Sequence, residues 1–163
     1  MAVSTQTMTD EQRKSVALEY LKAFDNGGVT STGGSILDLF AEDSQVYFPK
    51  WGLANGKAEI GKMFGDVGAT LKKIVHDYSH FNWIMTGGDT FAVEGTSFGE
   101  HQDGPWRSGE PEWSAGRWCD VFEVRDFQIQ RCFIYLDPDY AGLDTERYPW
   151  LAANDRNPAL PLA

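Results

Sequence analysis

The chain is short of cysteine, histidine and positive charge, and each shortage closes off a class of function. Two cysteines, Cys119 and Cys132, and three histidines occur in 163 residues. None has the spacing of a zinc or redox motif, so no metal is expected. A nucleophilic serine or cysteine triad has no local signature, and three histidines leave few bases to complete one. Lys and Arg number 14 against 24 Asp and Glu, for a net charge of -10, and the basic residues are scattered. Nucleic-acid phosphates need clustered basic residues, so no nucleic-acid partner is expected. No apolar run reaches the length of a membrane span, and the opening MAVSTQTMTDEQRK has no signal-peptide core. The expectation is a cytoplasmic protein that does not engage a membrane. The glycine-rich NGGVTSTGG lacks the strand and the GxxxxGK[ST] pattern of a phosphate-binding loop, so no cofactor is expected either.

What is present is an ordinary globular composition, 42% hydrophobic and 23% charged, on a chain long enough for one core. The aromatic share is 13%, with 6 Trp and 10 Phe, and ring-rich walls suit either a core or an apolar ligand. Thr9 with Gln12 reads as a helix-opening capping box after a flexible tail over 1–8. Val16, Ala17, Tyr20, Leu21 and Phe24 recur at helical spacing until Gly27-Gly28. Ser35 caps a second, short helix, ILDLFAED. Gln45–Phe48 is a strand ended by Pro49, and 57–73 forms a third helix with Ile60, Met63, Phe64, Val67 and Leu71 buried.

The remainder is β in character. Residues 74–86 and 90–98 predict a hairpin around Gly87-Gly88-Asp89, and 115–124 with 128–136 predict a second. Between them, 99–114 reads as a long loop in which Trp106 and Trp113 either lid a pocket or anchor the segment. The fold class is therefore α+β, with three helices on a curved antiparallel sheet and a cone-shaped pocket between the layers. The domain spans 9–137, and 138–163 forms an irregular extension with Tyr140, Tyr148 and Trp150.

Strand parity puts Trp118, Asp120, Phe122 and Val124 on one face of 115–124. A carboxyl among such neighbours is either a structural group with a backbone or arginine partner, or a protonated acid able to donate a hydrogen bond. Tyr20 lies on the apolar stripe of the first helix, so its hydroxyl also needs a partner indoors. Phe24, Phe48, Trp51, Phe64, Trp118 and Phe122 are the rings expected to wall the pocket.

The runs EYLKAFDNGG…ILDLFAEDSQVYFP, GLANGKAEI, GGDTFAVEGTS and GRWCDVFEVRDFQIQRCFIYLD, in that order, resemble the nuclear-transport-factor-two-like superfamily. That group includes ketosteroid isomerases, scytalone-type dehydratases and SnoaL-like polyketide cyclases. The resemblance implies that Tyr20 and Asp120 match the isomerases' oxyanion-hole pair, and that the chain is a homodimer through the outer sheet face with Phe133 and Tyr135. It also marks a departure: the isomerase base precedes a proline on the first strand, and here Phe48 precedes Pro49. Two other groups resemble bases of sister branches, His76 by its spacing to Gly88-Asp89 and Asp137 at the end of the last strand. Parity, however, places His76 outside with Tyr78, His80, Asn82 and Ile84, and Asp137-Pro138-Asp139 fits a turn. Glu94 and His101 are weaker candidates. The implied function is acid–base chemistry (cyclase, isomerase or dehydratase) on a hydrophobic oxygenated small molecule such as a polyketide or steroid-like compound. The alternative is a non-catalytic ligand-binding or dimerisation protein of the same fold.

Overall fold

In a computed structural model, residues 7–106 and 116–137 are described. Helix α1 (Asp10–Asp25) opens on the expected capping box: Gln12 N–H donates to Thr9 Oγ1 at 3.2 Å and Thr9 N–H to Gln12 Oε1 at 2.9 Å. The helix buries Val16, Ala17, Tyr20 and Leu21, and the chain leaves it through Gly27 and Gly28, both at positive φ. Met8, just before the helix cap, already belongs to the core. Met8 is 6% exposed, its carbonyl accepts from Arg13, and its sulfur accepts from the Phe127 N–H.

The expected second helix is a single 3-10 turn, Ile36–Leu39, capped by Ser35, and β1 (Phe40–Phe48) starts immediately after it. There are thus two α-helices among the described residues rather than three. The physical reason is a register shift in β1 between Phe40 and Gln45, which breaks the two-residue alternation and makes FAED look helical. After β2 (Gly52–Asn55), helix α2 (Gly56–Thr70) buries Ile60, Met63 and Val67. It ends three residues earlier than its pattern predicts. Leu71 and Lys73 pair instead with the far end of a long strand, and the glycines of the last turns offer little to hold the helix against that pairing.

The strands β3 (Leu71–His76), β4 (Asn82–Ile84), β5 (Thr90–His101), β6 (Gly104–Pro105), β7 (Arg117–Arg125) and β8 (Gln128–Leu136) complete one curled sheet, ordered β2-β1-β8-β7-β5-β3. Both β3 and β4 pair with β5, separated by a 3-10 turn at Tyr78–His80. The sheet is not wholly antiparallel, since β1 runs parallel to β8. Both predicted hairpins form. The β7–β8 loop is two residues, Asp126 and Phe127, both at positive φ, the backbone whose twist matches the flanking strands. The expected loop over 99–114 begins later than predicted, because β5 runs on to His101 and pairs with β6. Helix α1 packs on β3, β7 and β8, and α2 on β1, β2 and β3. The core lies between this helical layer and the concave sheet face. The extension after Asp137 and Trp113 lie outside the described residues.

Candidate active site

Alternation along β7 buries Trp118, Asp120, Phe122 and Val124, as parity requires. Asp120 is 3% exposed, and no hydrogen bond or ion pair joins its carboxyl to another described residue. Burial alone pushes its pKa up to about 8, because nothing offsets the lost hydration of the charge. At neutral pH the group is therefore chiefly a carboxylic acid, a donor as well as an acceptor. Among the described residues no arginine or backbone partner supports a purely structural role for this side chain.

Tyr20 reaches the same space from α1. It is 2% exposed, and its ring meets Phe24, Phe40, Phe64 and Phe122 at centroid distances between 5.6 and 6.1 Å. On β8 the Cys132 thiol is fully buried, and burial raises its pKa well above the usual thiol value. A cage of rings thus holds the hydroxyl at a set depth on the concave face.

His76 is buried, 7% exposed, which corrects the outward placement from parity. From His76↔Ser97 to Asn82↔Glu94 the β3–β4 side advances six residues while β5 advances three. The intervening 3-10 turn absorbs the difference, so parity counted back from Trp83 gives the wrong face at position 76. There His76 meets Asp25 at the end of α1. Its Nδ1 lies 2.5 Å from Asp25 Oδ1, its backbone N–H donates to Oδ2 at 3.0 Å, and the Tyr78 hydroxyl donates to Oδ2 at 2.6 Å. Burial works to raise the Asp25 pKa, but the hydrogen bonds and charge of His76 and the bond from Tyr78 outweigh it and hold it below the usual carboxylate range. An ionised carboxylate only accepts, so Nδ1 carries the proton and Nε2 is left as the basic nitrogen.

These groups share one pit. Tyr20, Phe24, Phe48, His76, Ser97, Trp118 and Asp120 line a cavity of about 30 Å³, closed by aliphatic side chains from α1, β3 and β8. That volume holds one or two small polar atoms or a water, not a whole ligand. Next to it lies a groove of about 570 Å³ between the end of α1, the Ile36–Leu39 turn, α2 and β3. Phe24 and Ile74 line both spaces, and Gly61, Gly65 and Gly68 give the groove its smooth α2 wall. A groove of this size suits a small organic molecule.

The expected ring wall is thereby divided. Phe24, Phe48 and Trp118 line the pit and Phe64 the groove. Phe122 is fully buried beneath them, stacked on Phe91 at 5.5 Å, and Trp51 packs edge-on against Phe48 at 5.3 Å without lining either space. Asp137 stands exposed at the end of β8 and does not itself line the pit, although its neighbour Leu136 does. Glu94 accepts from Asn82 at 2.9 Å, and burial lowers the pKa of His101 beside Trp106. Trp106 is buried over Gly99 and Gly116, the position of an anchor and not of a lid.

Sequence reasoning missed Asp25, Tyr78 and Ser97 as parts of the site. One signal existed for Asp25: an acid in the last turn of a helix opposes the helix dipole, so a partner elsewhere must hold it. Among the described residues no group of three or more His, Cys, Asp or Glu is placed to hold a metal ion. No described helix is long and apolar enough to cross a membrane.

Comparison with known proteins agrees with this architecture. Residues 17–132 match the family model of the SnoaL-like domain. An NTF2-like protein of Anabaena variabilis superposes with a TM-score of 0.62 at 22% identity, over 83% of this chain and 96% of that one. Candidate polyketide cyclases of Xanthomonas campestris and Sinorhizobium meliloti superpose at 0.59 and 0.54, each at 17% identity. They cover 79% and 74% of this chain, and 93% and 94% of their own. No curated protein matches in sequence. The chain belongs to the SnoaL-like domain family and shares its fold with NTF2-like proteins.

Proposed function

We propose that this SnoaL-like protein is a cofactor-free acid–base enzyme acting on an apolar, oxygenated small molecule, of the cyclase, isomerase or dehydratase kind. In this reading His76 Nε2 takes a proton from carbon next to a carbonyl. The resulting enolate oxygen receives hydrogen bonds from the neutral Asp120 carboxyl and from the Tyr20 hydroxyl. Asp25, itself held by the Tyr78 hydroxyl, orients the imidazole. The carrying observation is that an Asp25-held histidine and an unpaired, buried acid line the same pit. Phe48 stands where the isomerase branch has its base, so His76 takes that role from the opposite wall. The names of the Xanthomonas and Sinorhizobium relatives favour cyclase chemistry on polyketide-like substrates within this class. Asp137, exposed and not itself lining the pit, is proposed as no more than a bystander.

The same reading takes the protein as a cytoplasmic homodimer. Tyr47, Phe133 and Tyr135 cluster on the outer sheet face, ring centroids about 6 Å apart, with Tyr135 51% exposed and Arg131 over Phe133. Such a face is poorly suited to water.

A non-catalytic binding pocket is the second reading, favoured by the apolar Phe48 before Pro49. Two measurements separate them. Graded naphthols, as enolate mimics, are titrated from pH 5 to 9 into wild type and Asp120→Asn. Exchange of the α-protons of 2-tetralone into deuterated buffer is followed by NMR for wild type and His76→Gln. Naphthol affinity that depends on Asp120, with exchange that falls by roughly 10²- to 10⁴-fold in His76→Gln, supports the enzyme. Naphthol binding with no exchange above buffer supports the binding protein. Affinity unchanged by Asp120→Asn at every pH overturns the oxyanion role of that residue.

A further inference from the structure

Trp118 faces Gly95 directly across the β5–β7 ladder. A Cβ at position 95 would lie 2.4 Å from Trp118 Cζ2 and 2.8 Å from Cη2, so only glycine lets the indole lie across β5. His76 and Phe81 close on the ring edge-on, with centroids 5.3 and 5.2 Å away. Three contacts thus leave the indole one position. In that position it lines the pit, is 6% exposed, and its buried Nε1–H has no hydrogen-bond partner.

The other polar groups around the pit are largely accounted for. Ser97 Oγ donates to the Gly116 carbonyl at 3.3 Å, His76 is bound to Asp25, and Tyr20 is not without a partner. Trp118 and Asp120 are the two polar side chains of the wall that are more than nine-tenths buried and have no hydrogen-bond partner among the described residues. A buried, unpaired N–H costs on the order of 1–3 kcal/mol, and a phenylalanine would avoid that penalty at once. The cost recurs in every folded molecule and is recovered when an acceptor arrives.

We propose that Trp118 is the specificity-determining residue of the pit: its Nε1–H is the donor for a ligand oxygen that accepts hydrogen bonds, a ketone, enolate or phenolate. The inference rests on the pocket reading above and narrows its ligand class. The ligand is a flat apolar body, lying in the groove, that ends in an acceptor oxygen small enough for the pit. An indole N–H cannot accept and does not titrate in water, so its selection for acceptors is independent of pH, unlike that of Asp120. Discrimination against a ligand without the oxygen follows from leaving the N–H buried and unpaired.

The test compares 2-acetylnaphthalene with 2-ethylnaphthalene, nearly the same shape with and without the acceptor oxygen, by calorimetry at pH 6. Wild type is expected to favour the ketone. Trp118→Phe, and separately 3-benzothienylalanine introduced at position 118, should narrow that preference roughly 10-fold, as expected for one hydrogen bond. The benzothienyl side chain keeps the ring shape and loses only the N–H, so a packing defect cannot imitate the result. In ¹H–¹⁵N spectra the indole signal assigned with Trp118→Phe should move downfield with the ketone and not with the hydrocarbon. An unchanged preference in the benzothienyl protein overturns the proposal, as does equal binding of both probes to wild type. If naphthol binding still depends on Asp120 in that case, the pocket reading survives alone; no binding of any probe to wild type overturns both.

Discussion

Replacing Asp120 with asparagine keeps the size of the side chain and removes its titration, so it isolates the electrostatics of the pit. The ordinary carboxyl value of 3.8 describes the unfolded chain, and burial raises the folded value to about 8. Between those two pH values the native protein holds a proton that the unfolded chain has released. Wild-type stability from this group is therefore complete below about pH 4, is lost as pH rises, and stops falling above about 8. The slope is about 1.4 kcal/mol per pH unit, so pH 5 to 7 removes roughly 3 kcal/mol as an order of magnitude. Guanidinium unfolding of wild type and Asp120→Asn at pH 5, 6 and 7, at one fixed protein concentration, gives two stability curves. Their difference cancels the other titrating groups, Asp25 and His76 included. The variant should gain on wild type with each unit of pH. Curves parallel to within about 0.5 kcal/mol over that range would mean that the carboxyl ionises normally, and the neutral-donor argument would fall with it.

Three further predictions concern other parts of the fold. Asp25→Asn removes the negative charge and one of the two acceptor oxygens that fix the His76 tautomer, so deuterium exchange of 2-tetralone should drop by roughly 10- to 100-fold. The Asp25 contribution to stability, from a lowered pKa, should be present above the ordinary carboxylate pKa and fade as pH falls through the folded value, so acid unfolding of the variant should be flatter than that of wild type. Gly95→Ala forces a methyl into the Trp118 indole and should cost about 1–3 kcal/mol, read as a lower Tm; an unchanged Tm would show that the ring has room to move. Size-exclusion chromatography with light scattering should give a dimer for wild type and a monomer for Tyr135→Glu, and a clean wild-type monomer at micromolar concentration would remove the dimer from the proposal.

Local patterns carried the order and type of most elements. The Thr9–Gln12 box, the stripe through Tyr20 and the alternation through Asp120 depend on neighbours within a turn or a strand, and each formed as read. The failures share one cause, an interruption of the period by pairing with a distant strand. Phe40 is strand because it pairs beside Ile129, although FAED reads as helix. Leu71 and Lys73 leave their helix for β5.

The sequence by itself determined the α+β class and that Tyr20 and Asp120 face the same interior, because helix and strand periodicity are properties of the local chain. It also carried the absence of the isomerase-type base, visible as Phe48 before Pro49. Only the tertiary structure decided which titratable groups meet Asp120 in the pit. Turning His76 inward depends on three residues taken up by a 3-10 turn, and holding it there depends on Asp25, 51 positions earlier in the chain. Neither condition is a local pattern: both are set where the end of α1 meets the edge of the sheet, and that meeting exists only in the folded protein.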